Sequence, residues 1–301
     1  EDFAGVSGDY VTPISGDFRG HTVWQCPPNG QGVIALLMLN IMAGVEAGDT
    51  PITTERMHAE IEACRLAYTA RNTYVADPAY SDVDVETLLS PAYADKLRAL
   101  IDPAKARDPM PETDLVRHED TVYISVVDAD GNACSFINTL FHNWGAGLCA
   151  PKSGVVFTNR AQGFSLDPAS PNRIEPGKRP LHTIIPGMLR QAGRVFMPFG
   201  VMGGAYQATG HGHFVSNLVD YGMDIQAAID APRSFLDITS GMLDLEQGFD
   251  DSVAARLAEM GYKVQRPPVG MGGAQAIRRD VAGGLLTGGS DPRKDGMALG
   301  V

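Results

Sequence analysis

The sequence lacks the features that mark several common kinds of site. Its few cysteines show none of the C-x-x-C spacing of zinc or redox sites. They are Cys26, Cys64, Cys134 and Cys149. The last two stand among apolar residues and are expected to be small buried side chains. No apolar run reaches the length of a membrane span, since the longest, 33–42, contains Asn40. We therefore expect neither a metal site nor a membrane partner.

Positive charge is also scarce. The chain has 24 Lys and Arg against 36 Asp and Glu, a formal net charge of −12, and no local basic patch. Such a chain repels a phosphate backbone, so nucleic acid is not an expected partner. The chain has neither an initiator Met nor a signal peptide, and its first residues resemble the middle of a longer sequence. We expect a fragment, for which a cytoplasmic and a periplasmic location both stay open.

The chain changes character near residue 120. With 44% apolar and 20% charged residues it has the composition of a soluble globular protein. Residues 1–104 show helical spacing of apolar side chains and are expected to be mainly helical. The expected helices are 32–45, 54–71 and 92–100, the last of them capped by Ser90-Pro91. Residues 105–120 are rich in charge, include Pro109 and Pro111, and have no usable period, which predicts a flexible tether.

After Thr121 the pattern indicates strands and glycine turns. Two alternating runs, 122–127 and 134–137, flank the turn at 128–132 and predict a β-hairpin. Because both faces of this hairpin are largely apolar, we expect a sheet that is covered on both sides. Further strands are expected at 154–157, 195–200, 262–265 and 274–278, and further helices at 212–221, 225–230 and 252–260. Helices segregated around strands predict a layered α+β domain.

Thr121 stands where the predicted tether meets the hairpin. For most strand threonines, a preference for extended backbone is a sufficient explanation. If the chain were cut between Asp120 and Thr121, one residue would hold a hydroxyl nucleophile and a free α-amine that acts as its base. An α-amine has an ordinary pKa of about 7.7 to 8.0, so a useful fraction is neutral near neutral pH. The junction therefore indicates a cleavage point that creates an N-terminal threonine nucleophile.

Motifs along the chain follow one another in an order that resembles a known family. After the junction they are T-V-Y-I-S-V-V-D-x-D-G-N at 121–132, T-L at 139–140, G-x-G at 145–147, P-G-K-R-P at 176–180, G-V-M-G-G at 200–204, D-Y-G at 220–222, D-A-P-R at 230–233 and G-S-D-P-R at 289–293. Residues 121–301 resemble the small, catalytic subunit of the γ-glutamyltransferase (γ-glutamyltranspeptidase) family, whose members are N-terminal-nucleophile hydrolases that cut their own precursor before a threonine. Residues 1–104 resemble the closing part of the large subunit, through F-R-G at 18–20 and P-P-N-G-Q-G at 27–32.

This resemblance implies an architecture and partners. The implied fold is α+β, a four-layer αββα sandwich in which 1–104 and 121–301 belong to one structural domain. The two subunits of the precursor are expected to form a heterodimer, and a higher oligomer stays open. The implied substrate is a small-molecule amide, with no cofactor.

The resemblance also implies roles for individual residues. Asp120 and Thr121 form the cleavage junction, and Thr121 is the catalytic nucleophile. Thr139 matches a threonine that supports the nucleophile through a hydrogen bond, although a plain strand threonine is the alternative. Gly203 and Gly204 match the pair whose N–H groups form the oxyanion hole, which stabilises the charge of a tetrahedral intermediate. A tight turn is the other interpretation of this pair, and one structure can serve both ends.

Two departures concern substrate recognition. Where the family holds the substrate's α-amine with an aspartate, this chain has Gly163, and where it binds the glutamyl carboxylate with two serines, this chain has His182 and Thr183. Arg160 offers a forked cation to a carboxylate, with His182 as a second donor. This pattern is similar to the branch that contains oxamate amidohydrolase. A structural ion pair for Arg160 and a hydrogen-bonded core position for His182 are the alternatives.

Two classes of function therefore stay open. The first is an autoprocessed amidohydrolase or acyltransferase that acts on a γ-glutamyl compound such as glutathione, or on a small carboxylate-bearing amide such as oxamate. The second is a catalytically silent relative that acts as a binding or interaction protein. The departures lie in substrate recognition and spare the chemical groups, which favours the enzyme. His211-Gly-His213 is a weak metal signal, and a helix start explains it more simply.

Overall fold

The computed structural model describes residues 4, 7–107, 120–238, 240–280 and 284–300. The predicted tether at 105–120 therefore lies outside the described residues, except for 105–107 and the backbone of Asp120.

The described chain alternates helices and short strands. The helices are α1 (Gly32–Ala43), α2 (Thr54–Tyr74), α3 (Val85–Leu88), α4 (Pro91–Arg98), α5 (Gln207–Val219), α6 (Ile225–Asp230) and α7 (Asp251–Glu259). The strands are β1 (Ile14–Phe18), β2 (His21–Gln25), β3 (Asp120–Val127), β4 (Ala133–Phe141), β5 (Gly187–Gln191), β6 (Arg194–Met202), β7 (Ser234–Leu236), β8 (Met242–Leu245), β9 (Lys263–Gln265), β10 (Gly273–Arg279) and β11 (Leu286–Ser290). Single 3-10 turns occur at Arg160–Gly163 and Gly204–Tyr206.

The predicted helices and the predicted hairpin are confirmed. The strand predicted at 154–157 is wrong, because only an isolated bridge joins Cys149 to Val156 there. The segment 1–104 also contains β1 and β2, which the helical pattern around them did not reveal.

Helix α1 forms the centre of the core. Ten of its twelve residues are buried, and an all-apolar helix is stable only when every side of it is covered. Each large aliphatic side chain buried in this way contributes about 1.5 to 3 kcal/mol. Within the described part of the chain, no helix combines the length and the apolar character needed to cross a membrane.

A six-stranded antiparallel sheet lies beside these helices, with the strand order β1-β2-β5-β6-β10-β11. Strand β6 shows what covers each face, because successive side chains point to opposite sides. Val201 packs against Gly210 of α5, whereas the bare backbone of Gly200 meets the ring of Tyr123 on β3. The sheet is therefore packed between a helix layer and the β3–β4 ladder.

The register between β3 and β6 places the start of β3. Tyr123 lies against Gly200, and the Ser125 hydroxyl donates to the Pro198 carbonyl at 3.3 Å. The two strands thus run in opposite directions, because a move of two residues forward along β3 corresponds to a move of two residues backward along β6. If this register continues for two more residues, Thr121 is expected opposite Met202, where β6 ends.

The other face of the β3–β4 ladder is exposed, which corrects the expectation of a sheet covered on both sides. It carries Val122, Ile124, Val126, Cys134 and Phe136. Cys149 is exposed as well, so the expectation that the last two cysteines are buried is also wrong. The apolar alternation predicted strands β3 and β4 correctly, but it did not show which face of the ladder packs against the rest of the protein.

Gly200→Ala is expected to destabilise the fold by about 1 to 3 kcal/mol, the usual cost of overpacking. An ideal Cβ at this position would lie 2.3 Å from the Tyr123 ring. Gly16→Ala is the matched control on strand β1, since its Cβ would meet no atom closer than 3.4 Å. Denaturant unfolding measures both variants. Equal stability of the two would contradict the proposed packing of Tyr123 on Gly200.

Candidate active site

Thr121 and Thr139 face each other on the inner side of the ladder. They are register partners on β3 and β4, and the Thr121 hydroxyl donates to the Thr139 hydroxyl at 3.3 Å. The Thr139 oxygen also accepts the N–H of Phe141 at 2.9 Å, which fixes its position. The ladder shifts register between Asp120 and Thr121, a kind of irregularity that re-aims a side chain at a strand end. The structure thus brings the two predicted threonines together.

Gly203 and Gly204 form the turn that follows β6. Their φ angles are +125° and +56°, values that favour glycine. A Cβ on Gly203 would lie 3.0 Å from the Cα of Gly272, so only bare backbone fits there. Because the register of β3 on β6 extrapolates to Thr121 opposite Met202, we infer that this turn begins near the threonine pair.

Each of the three carbonyl groups of this turn accepts a hydrogen bond. The Gly203 carbonyl accepts from Tyr206 N at 3.0 Å, the Gly204 carbonyl from the Gln31 side chain at 3.0 Å, and the Ala205 carbonyl from the Tyr68 hydroxyl. Among the described residues, no protein acceptor takes the N–H of Gly203 or Gly204. The turn therefore presents two adjacent backbone donors, which is the arrangement an oxyanion requires.

Arg160 lies against Phe141, two residues after Thr139 on β4. Its guanidinium carbon is 3.8 Å from the centre of the Phe141 ring, and its Nη1 donates to the Thr183 hydroxyl at 3.0 Å. The side chain is 6% exposed, and its Nε and Nη2 have no partner in the described chain. Burial lowers the pKa of Arg160 to about 9, so the group stays charged at neutral pH. The described residues include no carboxylate paired with it, against the ion-pair alternative.

His182 is a neutral neighbour of Arg160. Burial and the positive charge of Arg160 lower its pKa to about 3. Its Nδ1 accepts the N–H of Ile184 at 3.4 Å, so the ring proton belongs on Nε2. Its backbone is fixed between Asn29 and Gln31 by hydrogen bonds of 2.9 Å each. The Nε2–H of His182 is therefore a hydrogen-bond donor, and the ring stays neutral over the physiological pH range.

The two helix histidines do not share a site. His211 contacts Gln25 and accepts the N–H of Val201 at 3.2 Å, whereas His213 contacts Glu60 at 2.9 Å. Each ring has its own hydrogen-bond partners, as expected for histidines that attach a helix to the core.

Comparison with known proteins decides the family. The family model for gamma-glutamyltranspeptidase matches residues 1–301, the whole chain. The chain belongs to the gamma-glutamyltranspeptidase family. The predicted membership is confirmed, and so is the mixed α+β architecture.

Relatives in this family carry different names. The chain is 36% identical to the glutathione hydrolase-like YwrD proenzyme of Bacillus subtilis, over 100% of this chain and 58% of that protein. It is 36% identical to the oxamate amidohydrolase proenzyme of Klebsiella pneumoniae, over 96% of this chain and 55% of that protein. The crystal structure of cephalosporin acylase from Bacillus halodurans superposes with a TM-score of 0.90 at 41% identity, over 98% of this chain and 54% of that chain. The chain thus spans between half and three fifths of the length of these relatives.

The family's α-amine clamp is absent at Gly163. A Cβ at this position would lie 2.9 Å from the Leu181 carbonyl oxygen, so the local backbone leaves no room for an acidic side chain. The sequence also gave no sign of the second layer of the site, formed by Gln31, Tyr68 and Phe141. These residues reach the site only through contacts between distant segments.

Arg160→Met is expected to raise the free energy of unfolding by about 1 kcal/mol, because it removes a buried cation that has no counter-charge. The matched control is Arg233→Met, since Arg233 is also buried but lies 2.6 Å from Asp291. That control should lose about 3 to 5 kcal/mol, because it removes one partner of a buried ion pair and leaves Asp291 with its longer ion pair to Arg293 at 3.3 Å. Denaturant unfolding compares the two. A loss of stability in Arg160→Met as large as in the control would show that Arg160 is a structural residue.

Proposed function

We propose that this chain belongs to an autoprocessed amidohydrolase or acyltransferase, in which Thr121 is the first residue after the cut and the catalytic nucleophile. The observation that carries the proposal is the Thr121–Thr139 hydroxyl pair at 3.3 Å, which the register of β3 on β6 directs toward the end of β6, where the two glycine donors follow. Nucleophile, supporting hydroxyl and oxyanion donors are the groups that acyl transfer needs.

In the proposed reaction, cleavage between Asp120 and Thr121 frees the α-amine of Thr121. The neutral amine takes the proton of the Thr121 hydroxyl as Oγ1 attacks the amide carbon of the substrate. The negative charge on the carbonyl oxygen is stabilised by the N–H groups of Gly203 and Gly204. The carbon–nitrogen bond then breaks, the leaving amine takes the proton, and an ester on Thr121 remains. Water gives a carboxylic acid from this ester, and an amine gives a new amide.

The substrate is proposed to be a small amide with a carboxylate, such as oxamate. Arg160 offers two unpartnered donors and stays charged, and the neutral His182 adds a third. Gly163 leaves no acidic side chain to hold an α-ammonium group, which disfavours an amino-acid substrate. A γ-glutamyl compound such as glutathione is the second candidate, because a relative at 36% identity is named glutathione hydrolase-like.

The proposal extends to the assembly. Residues 1–104 would belong to the large subunit and 121–301 would form the small one, and the two would associate as a heterodimer within a four-layer αββα sandwich. Of this sandwich, the described chain contains a helix layer, the six-stranded sheet and the β3–β4 ladder.

Purified full-length protein is expected to separate into two chains on a denaturing gel, with Thr-Val-Tyr as the N-terminal sequence of the smaller one. Thr121→Ala should stay uncut. Thr121→Ser should still be cut, though more slowly than the wild type, because serine keeps a hydroxyl in the same place. An uncut wild type would favour the catalytically silent relative over the enzyme.

Assays with oxamate, glutathione and a γ-glutamyl anilide test the substrate. Arg160→Ala is expected to lower kcat/KM for oxamate about 100-fold, since removal of one partner of a buried charge pair costs about 2 to 5 kcal/mol. Arg160→Lys should recover only part of this, because an ammonium group cannot bind a carboxylate through two parallel donors. Arg194→Ala is the control, since Arg194 is exposed on β6. Strong γ-glutamyl turnover that Arg160→Ala leaves unchanged would refute carboxylate recognition by Arg160.

A further inference from the structure

Gln31 occupies the N-cap position of α1 but makes no capping hydrogen bond with its side chain. The side chain is fully buried and reaches across the site instead. Its Nε2 donates to the Thr183 carbonyl at 2.9 Å and to the Gly204 carbonyl at 3.0 Å. One amide group thus joins the segment that binds Arg160 to the turn that holds the two backbone donors.

The other end of this amide is held by a second buried cation. Arg71 Nη1 donates to the Gln31 Oε1 at 2.9 Å, and the guanidinium lies 4.4 Å from the centre of the Tyr68 ring. Arg71 is 0% exposed, and its Nη2 has no partner in the described chain. Burial lowers its pKa from the ordinary value. No ion pair of the described residues includes Arg71, so its charge carries a large desolvation cost.

We propose that Gln31, oriented by Arg71, is a positioning residue that fixes the Gly203–Gly204 donors relative to the carboxylate-binding Arg160. The inference rests on the function proposed above, since it assigns a role within that same reaction. Gln31 is not itself placed against the substrate, and it acts through the carbonyl groups of Gly204 and Thr183.

The chemistry of the two side chains fixes the orientation. A guanidinium has donors only, so the oxygen of the Gln31 amide must face Arg71 and its nitrogen must face the two carbonyls. The positive charge at the oxygen polarises the amide and strengthens both N–H bonds, because hydrogen bonds in a chain reinforce one another. The Gly204 carbonyl shares its peptide plane with the N–H of Ala205, so the bond from Gln31 fixes that plane and anchors the Cα of Gly204. The preceding plane, which carries the N–H of Gly204, is attached to this Cα and is held at its other end by the bond from Tyr206 N to the Gly203 carbonyl. An error of about 1 Å in such a placement can cost about 100-fold in rate.

Gln31→Glu separates this role from simple packing. Glutamate keeps the volume and the acceptor for Arg71, but it replaces the two donors with an oxygen that repels both carbonyls. We expect a folded, cleaved enzyme whose kcat on its substrate falls about 10- to 100-fold while KM changes less than about 3-fold. Arg71→Met, which keeps the Gln31 donors and removes the charge that orients them, should lower kcat about 10-fold. Asn40→Leu is the control, because it removes a half-buried amide donor to the Leu89 carbonyl from the same helix, away from the site.

Hydrogen exchange gives a readout that does not need activity. In a Thr121→Ala background, Gln31→Glu is expected to speed exchange across residues 203–206 at least about 10-fold, because the turn loses the bond that holds the Gly204 carbonyl. Failure of the wild type to cut or turn over would count against the proposed function alone. Unchanged exchange at 203–206, or a kcat within about 3-fold of wild type in Gln31→Glu, would overturn the positioning role. If Gln31→Glu does not fold, the same two readouts apply to Arg71→Met.

Discussion

The contact between the Tyr123 ring and the bare backbone of Gly200 is the constraint on which the candidate site depends. It sets how deeply β3 lies on β6 and in which register. Continued to its end, that register directs Thr121 toward the end of β6, where the glycine turn follows. A side chain at position 200 would push the ladder away from β6 and would move the proposed nucleophile away from its proposed donors, although every residue of the candidate site remained.

Two buried cations, Arg160 and Arg71, have no carboxylate partner among the described residues. Arg160 and Arg71 each use one Nη atom in a hydrogen bond to a neutral side chain, Thr183 and Gln31 respectively, and each leaves Nη2 unpartnered. A fold selected for stability alone would replace such groups with apolar ones. Their presence together, linked through the Thr183 backbone, indicates that stability is given up for binding and positioning, the usual compromise at functional sites.

The sequence predicted the parts of the molecule that depend on neighbouring residues. The hairpin and helices α1, α2 and α4 follow from local alternation and capping, whereas the Thr121–Thr139 pair was expected only from the family resemblance. Strands β1 and β2 did not, because five-residue strands give a weak pattern beside a long apolar helix. Gln31 and Arg71 lie 40 positions apart, and their roles depend on Gly204, far along the chain. Only the folded structure brings these three together, so neither composition nor spacing could identify them.

The proposed substrate recognition depends on the backbone around Gly163 as well as on side chains. At Gly163 the missing acidic group looks like a single substitution, yet the Leu181 carbonyl oxygen lies only 2.9 Å from the place where a Cβ would be. Restoring an aspartate there would require the 3-10 turn that begins with Arg160 to move away from 181–183. That movement would displace the Arg160–Thr183 hydrogen bond and the carbonyl that Gln31 holds. An acidic side chain at position 163 and the observed placement of Arg160 are therefore competing arrangements of the same turn, and the described structure has the second, which the proposed carboxylate recognition requires.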